Sequence, residues 1–401
     1  MSSVINNSNS NSALISVLDN SDSLVNPNVY SIQPIYPPHA MTYSPNQSTT
    51  GGNSATSGTV LNFQLNKYGI VSQVLFRGTY HDTTAAGAAT FALAATAILS
   101  CIEKIDLLSS SRVVSSLSKF DLLAQFSDLS QAQFNAVEQA CVGARGSGTG
   151  ATALTEYSFA FPIVFGFMEQ IDTQLNCSFL ETQTIRVTFG TFATNKAMKD
   201  IKMDVRYKNY DESQSSKILA ENYDAPTLNM LSSRYYDETV KTHTGTAGAN
   251  TVVIDIKNTD CVNDFYVIVR DKTADDAVAG GRLQPVAVSS LVLSGSGQTI
   301  VELDEYQLHY ARLDKNGFSS RVSGGTGGTG IEHVAKIQMG CSSDSQMLTN
   351  TMSLREINNP QMSVTFTGVA ANVYEVHVVE KCSALYSISS ATGRLALSLS
   401  N

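Results

Sequence analysis

Downstream of residue 57, apolar and polar residues alternate along many short stretches of the chain. The apolar positions that share one face are Leu61, Phe63 and Leu65; Tyr157, Phe159, Phe161, Ile163 and Phe165; Ile201, Met203, Val205 and Tyr207; Val252, Ile254 and Ile256; Phe265, Val267 and Val269; and Tyr374, Val376 and Val378. A period of two residues indicates a strand with one buried and one solvated face. Such strands pair most naturally in antiparallel sheets, so the pattern predicts an all-β protein.

Helical signals are few. Ser118–Asp121 and Ser130–Gln133 have the spacing of capping boxes, and apolar residues at helical spacing follow the second of them from Phe134. Asp304–Gln307 predicts one corresponding helix in the second half. We therefore expect short helices in the connections between strands.

The two halves of the chain repeat the same segments in the same order. The matching segments are Ile102–Leu107 with Val288–Leu293, Leu117–Leu122 with Leu303–Leu308, and Ile185–Phe189 with Met362–Phe366. A repeat of about 180 residues exceeds a solenoid unit of roughly 20–50 residues, so it indicates two similar domains. Duplicated all-β domains of this size predict two tandem eight-stranded antiparallel jelly rolls, with Val187 and Val364 on their inner faces.

The composition divides the chain into four parts. Residues 1–57 are rich in Ser, Asn, Thr and Pro and contain no Lys or Arg, which predicts an extended N-terminal arm. Its apolar clusters at 13–15 and 32–36 could dock on a neighbour, but a disordered tail has the same composition. The first roll is predicted at 58–208, a connector at 209–237 and the second roll at 238–401.

Charge and cysteine content narrow the class of protein. The chain of 401 residues has 26 Lys and Arg against 35 Asp and Glu, a net charge of −9, which argues against a nucleic-acid binder. The six cysteines are widely separated and are expected to be free thiols in a reducing compartment. The N-terminus lacks the pattern of a secretory signal, and the charge-free stretch between Asp82 and Glu103 is too weakly apolar to predict a bilayer span.

Candidate catalytic chemistry is sparse. The six histidines are isolated, and no Gly-x-Ser-x-Gly motif is present. Gly325–Gly330 fits Gly-x-Gly-x-x-Gly but precedes a strand-like segment, so a surface loop is expected rather than a nucleotide site. His377 is expected to be solvent-exposed, and Asp275 and Asp276 are expected in a solvated loop. We predict no catalytic, cofactor-binding or metal-binding residues, and hence not an enzyme.

The order of elements resembles a known family. A polar arm is followed by a strand at Tyr68–Arg77, a strand at Ile102–Leu108, paired helices, a strand at Phe159–Val164, and the segments Ile185–Phe189 and Ile201–Tyr207. This order is similar to that of the double jelly-roll major capsid proteins of icosahedral, internal-membrane-containing viruses of the tectivirus type. The resemblance covers nearly the whole chain.

The resemblance implies a structural protein of the virion, made in the host cytoplasm, that forms pseudo-hexagonal homotrimers and tiles an icosahedral capsid. The implied partners are the other subunits, neighbouring capsomers, minor capsid or vertex proteins and, through the arm, an internal membrane; no direct nucleic-acid contact is expected. The alternative is a two-domain jelly-roll receptor-binding or carbohydrate-binding spike protein. The absence of Trp disfavours carbohydrate binding, which commonly uses stacking on Trp.

Overall fold

The computed structural model describes most of the chain. The described residues are 25–35, 54–67, 69–82, 94–129, 143–145, 155–168, 175–177, 180–192, 196–210, 227–258, 260–277, 283–308, 333–339, 352–389 and 391–398.

Strands dominate the described part of both halves. The first half contains β1 (Val25–Ile35), β2 (Val60–Gln64), β3 (Ile70–Asp82), α1 (Ala94–Cys101), β4 (Ile102–Ser109), β5 (Arg112–Ser118), α2 (Lys119–Asp128), β6 (Gly143–Arg145), β7 (Thr155–Ile163), β8 (Gln183–Phe189) and β9 (Lys196–Tyr210). The second contains β10 (Thr227–Thr244), β11 (Gly248–Asp255), β12 (Cys261–Asp271), α3 (Lys272–Ala277), β13 (Pro285–Val286), β14 (Val288–Gly295), β15 (Gln298–Asp304), β16 (Ala335–Gln338), β17 (Met352–Ser353), β18 (Gln361–Gly368), β19 (Val373–Ser389) and β20 (Leu395–Ser398). Single 3-10 turns lie at Gly166–Met168 and Leu354–Glu356, and a helical turn at 305–308.

Each half contains two antiparallel sheets with the same strand order. In the first half the sheets are β1-β9-β3-β7-β6 and β2-β8-β4-β5. In the second half β10, β19 and β12 lie side by side and β16 pairs with β12, while the other sheet is β11-β18-β14-β15. Eight strands of one half therefore correspond one by one to eight of the other. The prediction of two tandem eight-stranded jelly rolls with short connecting helices is confirmed.

The repeated segments occupy equivalent places. Val187 in β8 is paired with Leu61 and Ile105, and Val364 in β18 is paired with Val252 and Leu291. All six side chains are almost fully buried. The two valines therefore lie on the inner faces of their rolls, as predicted.

Two of the three predicted helix starts are present. The side chain of Ser118 accepts hydrogen bonds from the backbone of Phe120 and Asp121, and α2 follows. Asp304 and Gln307 exchange backbone-to-side-chain hydrogen bonds of 2.8 and 3.0 Å at the start of the helical turn 305–308. The capping box predicted at Ser130–Gln133 lies outside the described residues.

Two strands begin before the predicted starts of their domains. Residues 25–35, expected in the arm, form β1 and pair with β9 at the edge of the first roll. Strand β10 begins at Thr227, inside the predicted connector. An edge strand needs hydrogen bonds on one side only and tolerates proline, and Pro27 lies in the irregular stretch of the β1–β9 register between Val25 and Tyr30. The prolines and polar residues of β1 interrupt the alternation of apolar and polar positions, so the sequence pattern did not predict this edge strand.

Candidate functional site: the junction between the two rolls

Strand β12 is buried on both faces of its sheet over Phe265–Val269. Phe265, Val267 and Val269 face the interior of the second roll, whereas Tyr266 and Ile268 belong to the larger apolar core that also fills the first roll. A sheet that is covered on both faces has a continuous apolar run instead of an alternating one. The first roll thus packs on the face that carries Tyr266 and Ile268, which is here called the outer face of the second roll. The contact between the two rolls is called the junction.

A stacked ring pair forms the centre of the junction. The rings of Phe120, from α2, and His377, from β19, lie 3.5 Å apart between centroids at an angle of 22°. Burial lowers the pKa of His377, and Glu375 nearby opposes this only in part. The prediction that His377 is solvent-exposed is wrong: its side chain points out of its own roll but is covered by α2 of the other.

A polar network lies beside this stack. The Lys336 ammonium is 2.8 Å from Asp128 Oδ1 and 2.9 Å from the Tyr266 hydroxyl, which itself donates a hydrogen bond to Asp128. Asp264 is 3.6 Å from the same ammonium. Burial, followed by the negative charge of Asp128, raises the pKa of Tyr266 well above its usual value. The buried cation of the second roll is therefore paired with one acid of each roll, and the acid of the first roll is the nearer.

The two backbones also approach closely. A Cβ atom on Gly166 would lie 1.8 Å from the carbonyl oxygen of Ser233 in β10, so only glycine fits without a shift. Next to it, the rings of Phe167 and Tyr386 meet edge to face with centroids 6.1 Å apart. The turn at Gly166–Met168 thus anchors the first roll on the second.

The end of the chain reinforces the junction. Strand β20 pairs with β19, and the amide of Leu395 at its start donates to the hydroxyl of Ser109 in the first roll. The amide of Glu181 donates to the carbonyl of Gly393 at 2.8 Å. The second roll therefore holds the first through backbone hydrogen bonds as well as through side chains.

A polar cleft of about 580 Å³ opens beside Phe120, between β5, α2 and β10. Asp121 lines it and is almost fully buried; its Oδ2 accepts a hydrogen bond from the Ser118 amide, while its Oδ1 has no hydrogen-bond partner among the described residues. Burial, followed by repulsion from Asp237, raises the pKa of Asp121 well above its usual value. Glu103, Lys119 and other charged groups of both signs complete the lining.

Arg270 organises a second charged cluster at the end of β12. It contacts Asp275 at 3.1 Å, Asp276 at 2.6 Å and Glu375 at 3.3 Å. Interaction with His377 and with Lys272 lowers the pKa of Glu375 to about 2. Asp275 is buried against Arg270 in α3, so its prediction as part of a solvated loop is wrong, whereas Asp276 is exposed.

The other sequence motifs do not converge on one place. The glycine-rich segment Gly325–Gly330 lies outside the described residues. In the part of the chain that the structure describes, no three His, Cys, Asp or Glu side chains are grouped as metal ligands. Among the described helices, none combines the length and the apolar character needed to cross a bilayer.

Sequence reasoning missed the residues that build the junction. Asp128 and Lys336 are separated by more than half of the chain, and no local pattern connects them. One signal was available: the unbroken apolar run Phe265–Val269 indicates a strand that is buried on both faces.

Comparison with solved structures identifies the fold. The PBCV-1 virus capsid chain, from a quasi-atomic model, matches with a TM-score of 0.63 at 11% identity over 93% of this chain and 97% of its own. The mavirus major capsid protein matches at 0.58 and 11% identity, over 92% and 90% of the two chains. The Faustovirus major capsid protein matches at 0.56 and 8% identity, over 96% and 98%.

No family model matches the sequence, and no curated protein matches it either. The chain therefore has the double jelly-roll fold that the order of its sequence elements predicted, at identities that show the fold alone.

Proposed function

We propose that this protein is a viral major capsid protein and forms pseudo-hexagonal homotrimers that tile an icosahedral shell. The observation that carries the proposal is the junction: two complete rolls are held side by side as one unit by a shared core. Three such chains present six similar units, so a threefold ring can occupy a sixfold position in a lattice. The solved structures of this fold named above are viral capsid proteins.

The proposal extends to partners and location. The protein would reside in the virion, contact neighbouring capsomers and minor capsid or vertex proteins, and lie over an internal membrane. Its net charge of −9 supports a shell that does not bind genome directly, because phosphate contacts require cations. The proposed role is structural, not enzymatic.

The domain limits are proposed with the function. We take β1 to β9 as the first roll and β10 to β20 as the second, with 211–226 between them. The segment before β1 is the proposed contact with the membrane or a neighbouring capsomer.

Negative-stain microscopy of the purified protein tests the proposal. We expect particles with a hexagonal outline whose mass corresponds to three chains. Elongated single chains would instead favour the spike protein of the alternative, for which glycan-array binding is the direct check.

A further inference from the structure

The internal repeat places Tyr306 where Phe120 stands. Both follow the edge strand of a four-stranded sheet, β15 or β5, and both are the second residue of the helix that begins there. The residues that cap the two helices correspond as well, since the side chains of Ser118 and Asp304 each accept a hydrogen bond from the backbone amide three positions later. The two aromatic residues are therefore structural counterparts.

Their surroundings differ sharply. Phe120 is 7% exposed and stacks on the outer face of the second roll, whereas Tyr306 is 78% exposed. In addition, β15 is exposed at most of its positions. A large aromatic side chain on the surface, at a position whose copy makes the contact between rolls, indicates that the second roll uses the same contact toward another roll.

The charges support a second copy of this chain as the partner. Within the chain, the acid Asp128 follows Phe120 in α2 and meets Lys336 on the outer face. Around Tyr306 the exposed charges are also acidic, at Glu302 and Glu305.

The first roll carries the complementary charge. In β9, Lys202 and Arg206 alternate with the buried residues Met203 and Val205, so they lie on the outward face of the sheet. Arg77, on the neighbouring strand β3, lies on the same face, partly exposed and paired with Asp204. The outward face of β3 and β9 therefore carries three cations and one acid, Asp204, and its net charge is positive; the outer face of the second roll likewise carries the cation Lys336.

We propose that Tyr306, flanked by Glu302 and Glu305, docks on the outward face of β3 and β9 in the first roll of a second copy. The contact between copies would repeat the contact that Phe120 makes within one copy. It joins two different surfaces head to tail, which is the arrangement that closes a ring. The inference rests on the proposed function for the existence of the trimer, and it adds which faces meet and with which charges.

Charge reversal with rescue tests the pairing. Glu302→Lys with Glu305→Lys, and separately Lys202→Glu with Arg206→Glu, should each dissociate the trimer in analytical ultracentrifugation, because like charges then face each other. A chain carrying all four substitutions should regain the trimer. Tyr306→Ala should raise the concentration needed for half-association by roughly tenfold or more.

Val369→Ala is the matched control, since Val369 is also an exposed apolar residue, at 59%, but lies in the turn before β19. It should leave association unchanged. All variants should keep the wild-type circular dichroism spectrum, because the altered side chains lie outside the cores of the rolls.

The outcomes separate the two proposals. A wild-type trimer that none of these substitutions weakens would overturn the assignment of the faces and leave the proposed function standing. Failure of the fourfold variant to regain the trimer would overturn the charge pairing. A monomeric wild-type protein would overturn both.

Discussion

At the residue scale, burial changes the protonation of a few side chains, two of them at the junction and one inside the second roll. His377 is stacked under Phe120, Asp121 is enclosed beside Asp237, and Glu380 is fully buried in β19. Burial raises the pKa of Glu380 to about 7, and its hydrogen bond from Thr239 opposes the shift. The sequence around these groups does not predict their pKa shifts. The shifts arise because the other roll or a neighbouring strand buries each group.

Replacing Gly166 by alanine should destabilise the protein. The added Cβ would overlap the carbonyl of Ser233, so the two backbones must separate, at a cost of about 1–3 kcal/mol in the free energy of unfolding. Gly190→Ala is the control, because the closest atom to a Cβ there would be the flexible end of Glu103 at 3.1 Å, and the backbone carbonyl of Cys101 lies at an ordinary contact distance of 3.8 Å. Urea denaturation that gives equal stabilities for the two variants would contradict the close approach.

Replacing Asp121 by asparagine should flatten the pH dependence of stability. The folded state holds the proton of Asp121 more tightly than the unfolded state, so this group favours folding at low pH. That contribution is lost as the pH rises from the usual value of 3.8 through the raised one. Asparagine keeps an oxygen for the Ser118 amide but does not ionise.

The free energy of unfolding, measured across pH 4 to 8, should therefore decrease less with pH in the variant than in the wild type. Asp237→Asn should act in the same direction and more weakly, because it removes only the neighbouring charge. Parallel profiles for wild type and Asp121→Asn would refute the assignment.

At the element scale, the strands themselves were predictable wherever one face is buried and the other is solvated. β8 alternates between buried and more exposed residues throughout, and β11 does so from Ala249 onward; both were visible as period-two patterns. The edge strand β1 was not, because an edge strand needs no such pattern and its composition resembles that of a disordered segment.

Two N-terminal deletions separate β1 from the residues before it. Deleting 1–35 removes β1 and exposes the edge of β9, so we expect a lower melting temperature and aggregation. Deleting 1–24 retains β1 and should leave the melting temperature nearly unchanged. Equal melting temperatures for both deletions would show that β1 adds nothing to the first roll.

At the scale of the whole molecule, the two rolls unfold as one unit if the junction couples them. Asp128 and Lys336 provide the test, because their ion pair crosses the junction. Lys336→Met should be tolerated better than Asp128→Ala, which removes the nearer of the two carboxylates beside the buried ammonium and should cost up to about 3 kcal/mol.

The double variant should recover part of this loss, giving a measurable coupling energy in a double-mutant cycle. Calorimetry should show one transition for the wild type. Additive losses in the cycle would mean that the two side chains do not interact across the junction.

The sequence by itself determined the duplicated all-β architecture, because alternation, caps and repeat are local patterns that recur in both halves. Tertiary structure decided which outward-facing residues are buried. Tyr266, His377 and Lys336 all point away from the core of their own roll. The apolar run around Tyr266 indicates burial on both faces, but nothing within their own strands distinguishes His377 and Lys336 from solvated residues. Helix α2, residues 119–128, covers His377 with Phe120 and meets Lys336 and Tyr266 with Asp128, and a contact between segments so far apart in the chain leaves no period in either segment.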